Sequence, residues 1–187
     1  MGKKKRPRGA QADPTLLRAL DKGKKDDAIQ VIVETPKGSR NKYAFDPKQG
    51  VFKLKKVLPE GMAFPYNFGF VPSTKAEDGD PEDVLILMDE PTFPGCLIEC
   101  RLLGVIEGEQ TEDGKTFRND RLIAVCNQSH TYSDLNDIEH LNKNFIKELQ
   151  SFFVQYHKLD DVDFECIGIK GAKPARKLLK SHMKKAA

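Results

Sequence analysis

Asp78, Asp80 and Asp83 fall within the seven residues Asp78-Gly-Asp80-Pro-Glu-Asp83-Val. Carboxylates at that density repel one another unless a cation sits among them, and oxygen-only ligation suits hard ions such as Mg²⁺. Mg²⁺ keeps several waters and is commonly bound together with phosphate, so the loop points to phosphate chemistry. A calcium EF-hand does not fit. Counted from Asp78, its sixth and twelfth positions are Asp83 and Asp89, where that loop needs Gly and Glu. Cations that could meet a phosphate precede the loop: Lys37, Arg40 and Lys42 around one turn, then Lys53, Lys55 and Lys56 in the next hairpin. Lys56 falls beside Leu54, and its amine is expected to reach either water or the mouth of the sheet. No GxxxxGK[ST], GxSxG or HExxH pattern occurs, which disfavours P-loop, serine-nucleophile and zinc-protease chemistry. His130, His140, His157 and His182 lack ligand spacing and read as surface or helix-face residues.

The elements that must carry these residues are mostly strands. Ile29, Val31 and Val33 alternate, and turns at Pro36-Lys-Gly38 and Asp46 to Gly50 separate them from Tyr43 and Phe45 and from Phe52 and Leu54. This reads as consecutive antiparallel strands. Val84 to Met88 is continuously apolar, as expected of a strand covered on both faces, and it puts Asp83 at the strand's start. Leu97 to Ile106 and Leu122 to Cys126 read as two more strands, with Asp113-Gly114 between them as a hairpin signal. Past residue 130 the period changes. Phe145, Leu149, Phe152, Phe153 and Tyr156 share a face of a long amphipathic helix over about 142–158, capped by Asn142. A short strand around Phe164 to Ile169 follows, and Pro174 opens a C-terminal helix. The expected fold class is α+β, mainly β: one closed or curled sheet with helices packed on it.

One domain over 28–187 is expected, preceded by a basic, flexible leader over 1–27. Residues 1–27 hold nine Lys/Arg against four Asp/Glu and residues 170–187 seven against none, so the segment 28–169 carries −9 within a total of +3. An acidic body argues against a nucleic-acid-binding module, the alternative that a small barrel with Phe64, Tyr66, Phe68 and Phe70 as stacking platforms would offer. No run approaches a membrane span, no apolar core follows the Lys-rich start, and four cysteines without a CxxC pair fit a reducing compartment. The cytoplasm is the expected location.

Asp-Gly-Asp-Pro-x-Asp-Val at 78–84 resembles the hallmark of the soluble family I inorganic pyrophosphatases. Val33-Glu34 followed by Lys42-Tyr43, Phe64-Pro-Tyr-Asn-Phe-Gly-Phe70, Pro94-Gly95, Cys100-Arg-Leu-Leu-Gly104-Val, and Phe152-Phe153 with Tyr156 are similar to that family in the same order, over about residues 28–160. The resemblance implies a small closed OB-like β-barrel with flanking helices that binds Mg²⁺, hydrolyses pyrophosphate to two phosphates and assembles as a homo-oligomer. It implies Asp78 and Asp83 as metal ligands, Asp80 as the base that takes a proton from the attacking water, and Glu34 as an outer acidic residue. Lys42, Lys56, Arg121 and Tyr156 are the implied phosphate contacts. A later acidic pair is assigned to Asp113 and Asp120. Aligning Arg121 with the family's cation instead puts Asn119 at the metal position, and both alignments stay open.

Several residues depart from the family pattern. Ala44 stands in place of an acid, Phe68 in place of a phosphate-binding tyrosine, and His157 in place of a lysine, while Phe64 also lacks a hydroxyl. A relative with weakened or altered phosphoanhydride specificity is therefore a further alternative.

Overall fold

The computed structural model describes residues 13–19 and 28–183. In chain order its main elements are β1 (Ala28–Thr35), β2 (Asn41–Asp46), β3 (Val51–Val57), β4 (Asn67–Phe70), β5 (Asp83–Leu87), β6 (Leu97–Glu112), β7 (Lys115–Arg118), β8 (Arg121–Cys126), α1 (Lys143–Lys158), β9 (Asp163–Gly171) and α2 (Ala172–His182). The basic tip Lys3 to Arg8 lies outside the described residues. Part of the segment read as a leader is packed: Ala19 is buried, its carbonyl accepts from Gln30 N at 2.8 Å, and Thr15 O accepts from Ser73 N at 2.8 Å.

Five strands close on themselves in the order β1, β4, β5, β8, β6 and back to β1, with β5 and β8 parallel and every other pairing antiparallel. This ring meets the α+β, mainly β expectation. The long β6 is the hub, since β7 and β9 also pair with it. The expected run of consecutive strands needs one correction. β1 pairs with β4 and β6, while β2 and β3 form a separate hairpin outside the ring. Sequence alternation shows that a strand exists, not which neighbour it finds.

Period-two alternation sorts the two sides of the ring. Val84 and Ile86 of β5, with Leu122 and Ala124 of β8, join one apolar cluster that includes Ala175 and Leu179 of α2. Leu85, Leu87, Ile123 and Val125 join the other, with Leu149 and Phe153 of α1. This is why both strands read as continuously apolar: each face has its own helix to cover it. Asn142 caps α1 by accepting from Asn144 N. Cys100 and Cys126 face each other across β6 and β8 as buried free thiols.

The ring also needs close backbone contact where β4 crosses β1. A Cβ on Gly69 would lie 2.0 Å from Ile32 O and 2.9 Å from Val33 Cα. Backbone on both sides leaves nothing flexible to yield. Gly69→Ala is expected to cost about 3 kcal/mol of stability, read as a Tm lowered by roughly 6–12 °C in thermal unfolding. An unchanged Tm would show that this crossing is not tight.

Candidate active site

One cleft of about 1170 Å³ opens beside α1, between the ring and the β2–β3 hairpin. Asp78, Asp80 and Asp83 line one side, and Lys42, Lys56, Arg121 and Tyr156 line it as well. Their arrival at one place follows from alternation. Asp83 has the parity of Leu85 and Leu87, and Arg121 that of Ile123 and Val125, so both look toward the α1 side. Arg121 Nη1 lies 3.0 Å from Asp83 Oδ2.

Apart from that pair, the acidic loop is folded on itself. Asp78 Oδ1 accepts from Asp80 N at 3.0 Å. The Asp78 carboxyl is held above its ordinary range, first by partial removal from water and then by repulsion from Asp83 and Asp80, with the Asp80 amide opposing. Asp78 still reaches solvent. Among the described residues, no three acidic, His or Cys side chains converge on one point as a finished metal site. The donor chemistry nevertheless fits a hard divalent cation: carboxylate oxygens only, at an open edge.

Aromatic rings set the cationic side. A bulge between Lys42 and Tyr43 sets Lys42 opposite Lys56 and makes Lys55 the extra residue, so Lys53, Lys55 and Lys56 all line the cleft. Lys42 Nζ stands 4.3 Å from the Phe68 ring centroid and 3.1 Å from Glu34 Oε2. Glu34 also accepts from Phe45 N at 2.8 Å, so it braces β2 as well as lining the cleft. Lys56 Nζ lies 3.8 Å from the Tyr156 ring centroid and pairs with the exposed Asp160. Burial, with Asp83 and Asp160 next in effect, pushes the Tyr156 hydroxyl well above its ordinary range. It stays a donor at neutral pH.

Arg121 is 3% exposed and anchors the far wall. Its Nη1 bonds the side chain of Asn119, whose amide donates to Gln110, and its Nη2 donates to His157 Nε2 at 3.1 Å. Its Nε has no hydrogen-bond partner among the described residues. His157 stacks on Phe164 at 4.5 Å between centroids, with 11° between planes. Burial, followed by the charges of Arg121 and Lys56, pushes His157 down to about 3, so the neutral ring accepts from the guanidinium.

Three sequence expectations change here, and one contact was missed. Asp120 has the parity of Leu122 and turns away from the cleft; its Oδ1 accepts from Gly108 N at 2.9 Å and Arg118 Nη2 at 2.8 Å. The side chain in the cleft is that of Asn119. Asp113 does not line the cleft either. It forms the tight turn between β6 and β7, with φ 50° at Asp113 and 74° at Gly114, which is the hairpin reading of the same dipeptide. His157 is buried rather than superficial. Glu82 and His182, which the spacing rules pass over, are hydrogen-bonded through their side chains behind the loop. Alternation places Glu82 opposite Asp83, and a charge at that position of a buried strand was the available signal.

Comparisons with known proteins agree on one family. The family model described as inorganic pyrophosphatase matches residues 31–187. The chain is 39% identical over 154 residues to the inorganic pyrophosphatase of Halalkalibacterium halodurans, covering 81% of this chain and 90% of that one. It is 42% identical over 132 residues to that of Streptomyces coelicolor, covering 71% and 78%. The crystal structure of inorganic pyrophosphatase from Thermus thermophilus superposes with a TM-score of 0.83 at 31% identity, covering 92% of this chain and 97% of that one.

His157 gives the site a signature in stability. In the unfolded chain its imidazole titrates near the ordinary 6.5, whereas in the folded protein it stays neutral down to about 3. Below the ordinary value the unfolded state takes a proton that the folded state refuses. The residue's contribution is therefore complete above that value and is lost as pH falls toward the folded one. Between pH 7 and 5 the His157→Gln variant is expected to lose about 2 kcal/mol less stability than the parent, measured by denaturant unfolding. Parallel pH profiles would show that His157 is not buried as a neutral ring.

Proposed function

The chain belongs to the inorganic pyrophosphatase family, and on that premise we propose that its cleft hydrolyses pyrophosphate to two orthophosphates with Mg²⁺. The observation that carries this reading is the meeting, in one cleft, of the Asp78, Asp80 and Asp83 loop with Lys42, Lys56, Arg121 and Tyr156. Asp78 and Asp83 would hold the cation, with Asp80 beside them. When bound, divalent ions acidify water and offset the charge of a diphosphate.

The chain's own groups do the rest. Asp80 is the exposed carboxylate nearest in sequence to both ligands, and it accepts the proton of the attacking water. That water's oxygen bonds one phosphorus as the bridging P–O bond breaks, and the bridging oxygen departs with the second phosphate. Lys42, Lys56 and Arg121 neutralise the phosphate oxygens, and the protonated Tyr156 hydroxyl donates to one. Lys42 keeps protons to spare beside Glu34. The Lys56 to Asp160 pair involves a carboxylate that is 52% exposed, so a phosphate replaces Asp160 at little cost. His157 and Asn119 hold Arg121 in plane, with the rings of Phe153 and Phe164 about 5.5 Å away.

A nucleic-acid-binding reading is not favoured, because the aromatic residues proposed as platforms are spent on packing. Phe64, Phe68 and Phe70 are buried, and Tyr66 is tilted against Phe145 at 5.0 Å. Among the described residues no helix is long and apolar enough to cross a membrane. A cytoplasmic location is supported by the free thiols. Assembly as a homo-oligomer is supported by the exposed Ile167 and Ile169 of β9.

Purified protein is expected to release phosphate from pyrophosphate with millimolar Mg²⁺ and to lose that activity on chelation. Asp80→Asn is expected to lower kcat about 10²- to 10⁴-fold with an unchanged Tm. Parent-like kcat in that variant would remove Asp80 as the base, and no phosphate release by the parent would remove the function.

A further inference from the structure

Glu82 is 1% exposed, carries a carboxylate, and directly precedes Asp83. Its parity is that of Val84 and Ile86, so its side chain points away from the cleft, toward α2. There it pairs with His182 Nδ1, at the last residue of α2.

The backbone around this pair closes the root of the acidic loop. Glu82 N donates to Thr74 Oγ1 at 2.9 Å, and Val71 N donates to Glu82 O at 2.9 Å. On the other limb Lys75 N donates to His182 O at 2.8 Å, and Thr74 bridges to Met183. Between the limbs Ala76 N donates to Asp80 O at 2.8 Å. The end of α2 thus grips both limbs of the segment that presents Asp78, Asp80 and Asp83, once through side chains and twice through backbone.

We propose that His182 is a positioning residue for the cation-binding loop, acting through Glu82 to hold Asp83 and Asp80 in register from behind. The inference rests on the functional reading of the cleft given above. Its physical basis is the cost of leaving a buried carboxyl without its hydrogen-bond partner. With His182 in place, Glu82 stays in its pocket and its neighbour Asp83 stays at the cleft. Without it, Glu82 seeks water, and the strand start that carries Asp83 moves with it. The effect falls on cation affinity, because the residues displaced are ligands, and groups behind metal ligands typically set affinity by 10- to 100-fold. It spares turnover once the cation is saturating.

The test uses the full chain and three variants. Calorimetric titration of the free protein with Mn²⁺ reads the site without catalysis, and the Mg²⁺ dependence of pyrophosphate hydrolysis reads it in turnover. His182→Ala is expected to weaken Mn²⁺ binding about tenfold and to raise the half-saturating Mg²⁺ by a similar factor, with kcat at saturating Mg²⁺ within about twofold of the parent. Glu82→Gln combined with His182→Ala removes the carboxyl that needs this partner and is expected to restore most of the affinity. His182→Asn keeps a donor to Glu82, folds if the alanine variant does not, and is expected to bind Mn²⁺ within about threefold of the parent. Superimposable isotherms for His182→Ala and the parent, with only the Tm lowered, would overturn the proposal by showing a purely structural role. So would a double variant as weak as the single one. A parent that binds Mn²⁺ but hydrolyses no pyrophosphate would refute the proposed activity, and the binding comparison would still decide the role of His182.

Discussion

Like charges held on one short loop are the constraint to which the rest of this molecule answers. Asp78, Asp80 and Asp83 lie within six residues of one another, and in water that crowding is tolerable only because the loop lies at an open edge. Closing the cleft around them without compensation would raise their cost steeply. The fold instead brings cations to the same space by separate routes: a hairpin outside the ring for Lys42 and Lys56, and a ring strand for Arg121. It spends neutral groups to hold those cations. Phe68 lies under Lys42, Tyr156 under Lys56, and His157 and Asn119 bond Arg121.

One geometric rule does most of the sorting. In a strand, neighbouring residues look to opposite faces, so a chain that alternates Asp83 with Glu82, or Arg121 with Asp120, addresses two environments at once. The outward members meet the cleft. Their neighbours meet the α2 side or the β6 backbone at Gly108, where Glu82 finds His182 and Asp120 finds Arg118. The same rule explains why the two central strands are apolar throughout.

Much of this was legible in the chain. The hydrophobic runs located β1, β5, β8 and α1, Asn142 marked the start of α1, and Asp113-Gly114 marked the turn into β7. The acidic loop, Lys42 and Lys56 stood out as clustered charges, whereas Arg121 and Tyr156 were named only through the resemblance to the family; all of them line one cleft. What could not be read was partnership. Nothing local says that β1 closes on β6, since that pairing spans some seventy residues. The choice between Asn119 and Asp120 depended on register, and a slip of one residue reverses every side chain. His130 and His140 are exposed as expected, and His157 was misjudged for a related reason. His157 is classed by its helix as a boundary residue, and only the arrival of Phe164 and Arg121 from β9 and β8 buries it.

If the two walls of the cleft act together, cation and polyanion must assist each other's binding, and by linkage the assistance is mutual. Calorimetric titration of the protein with a non-hydrolysable diphosphate, with and without Mg²⁺, measures this directly. The account predicts at least about tenfold tighter diphosphate binding with Mg²⁺, and an equal gain in Mg²⁺ affinity when the diphosphate is present. Equal diphosphate affinity under both conditions would contradict it.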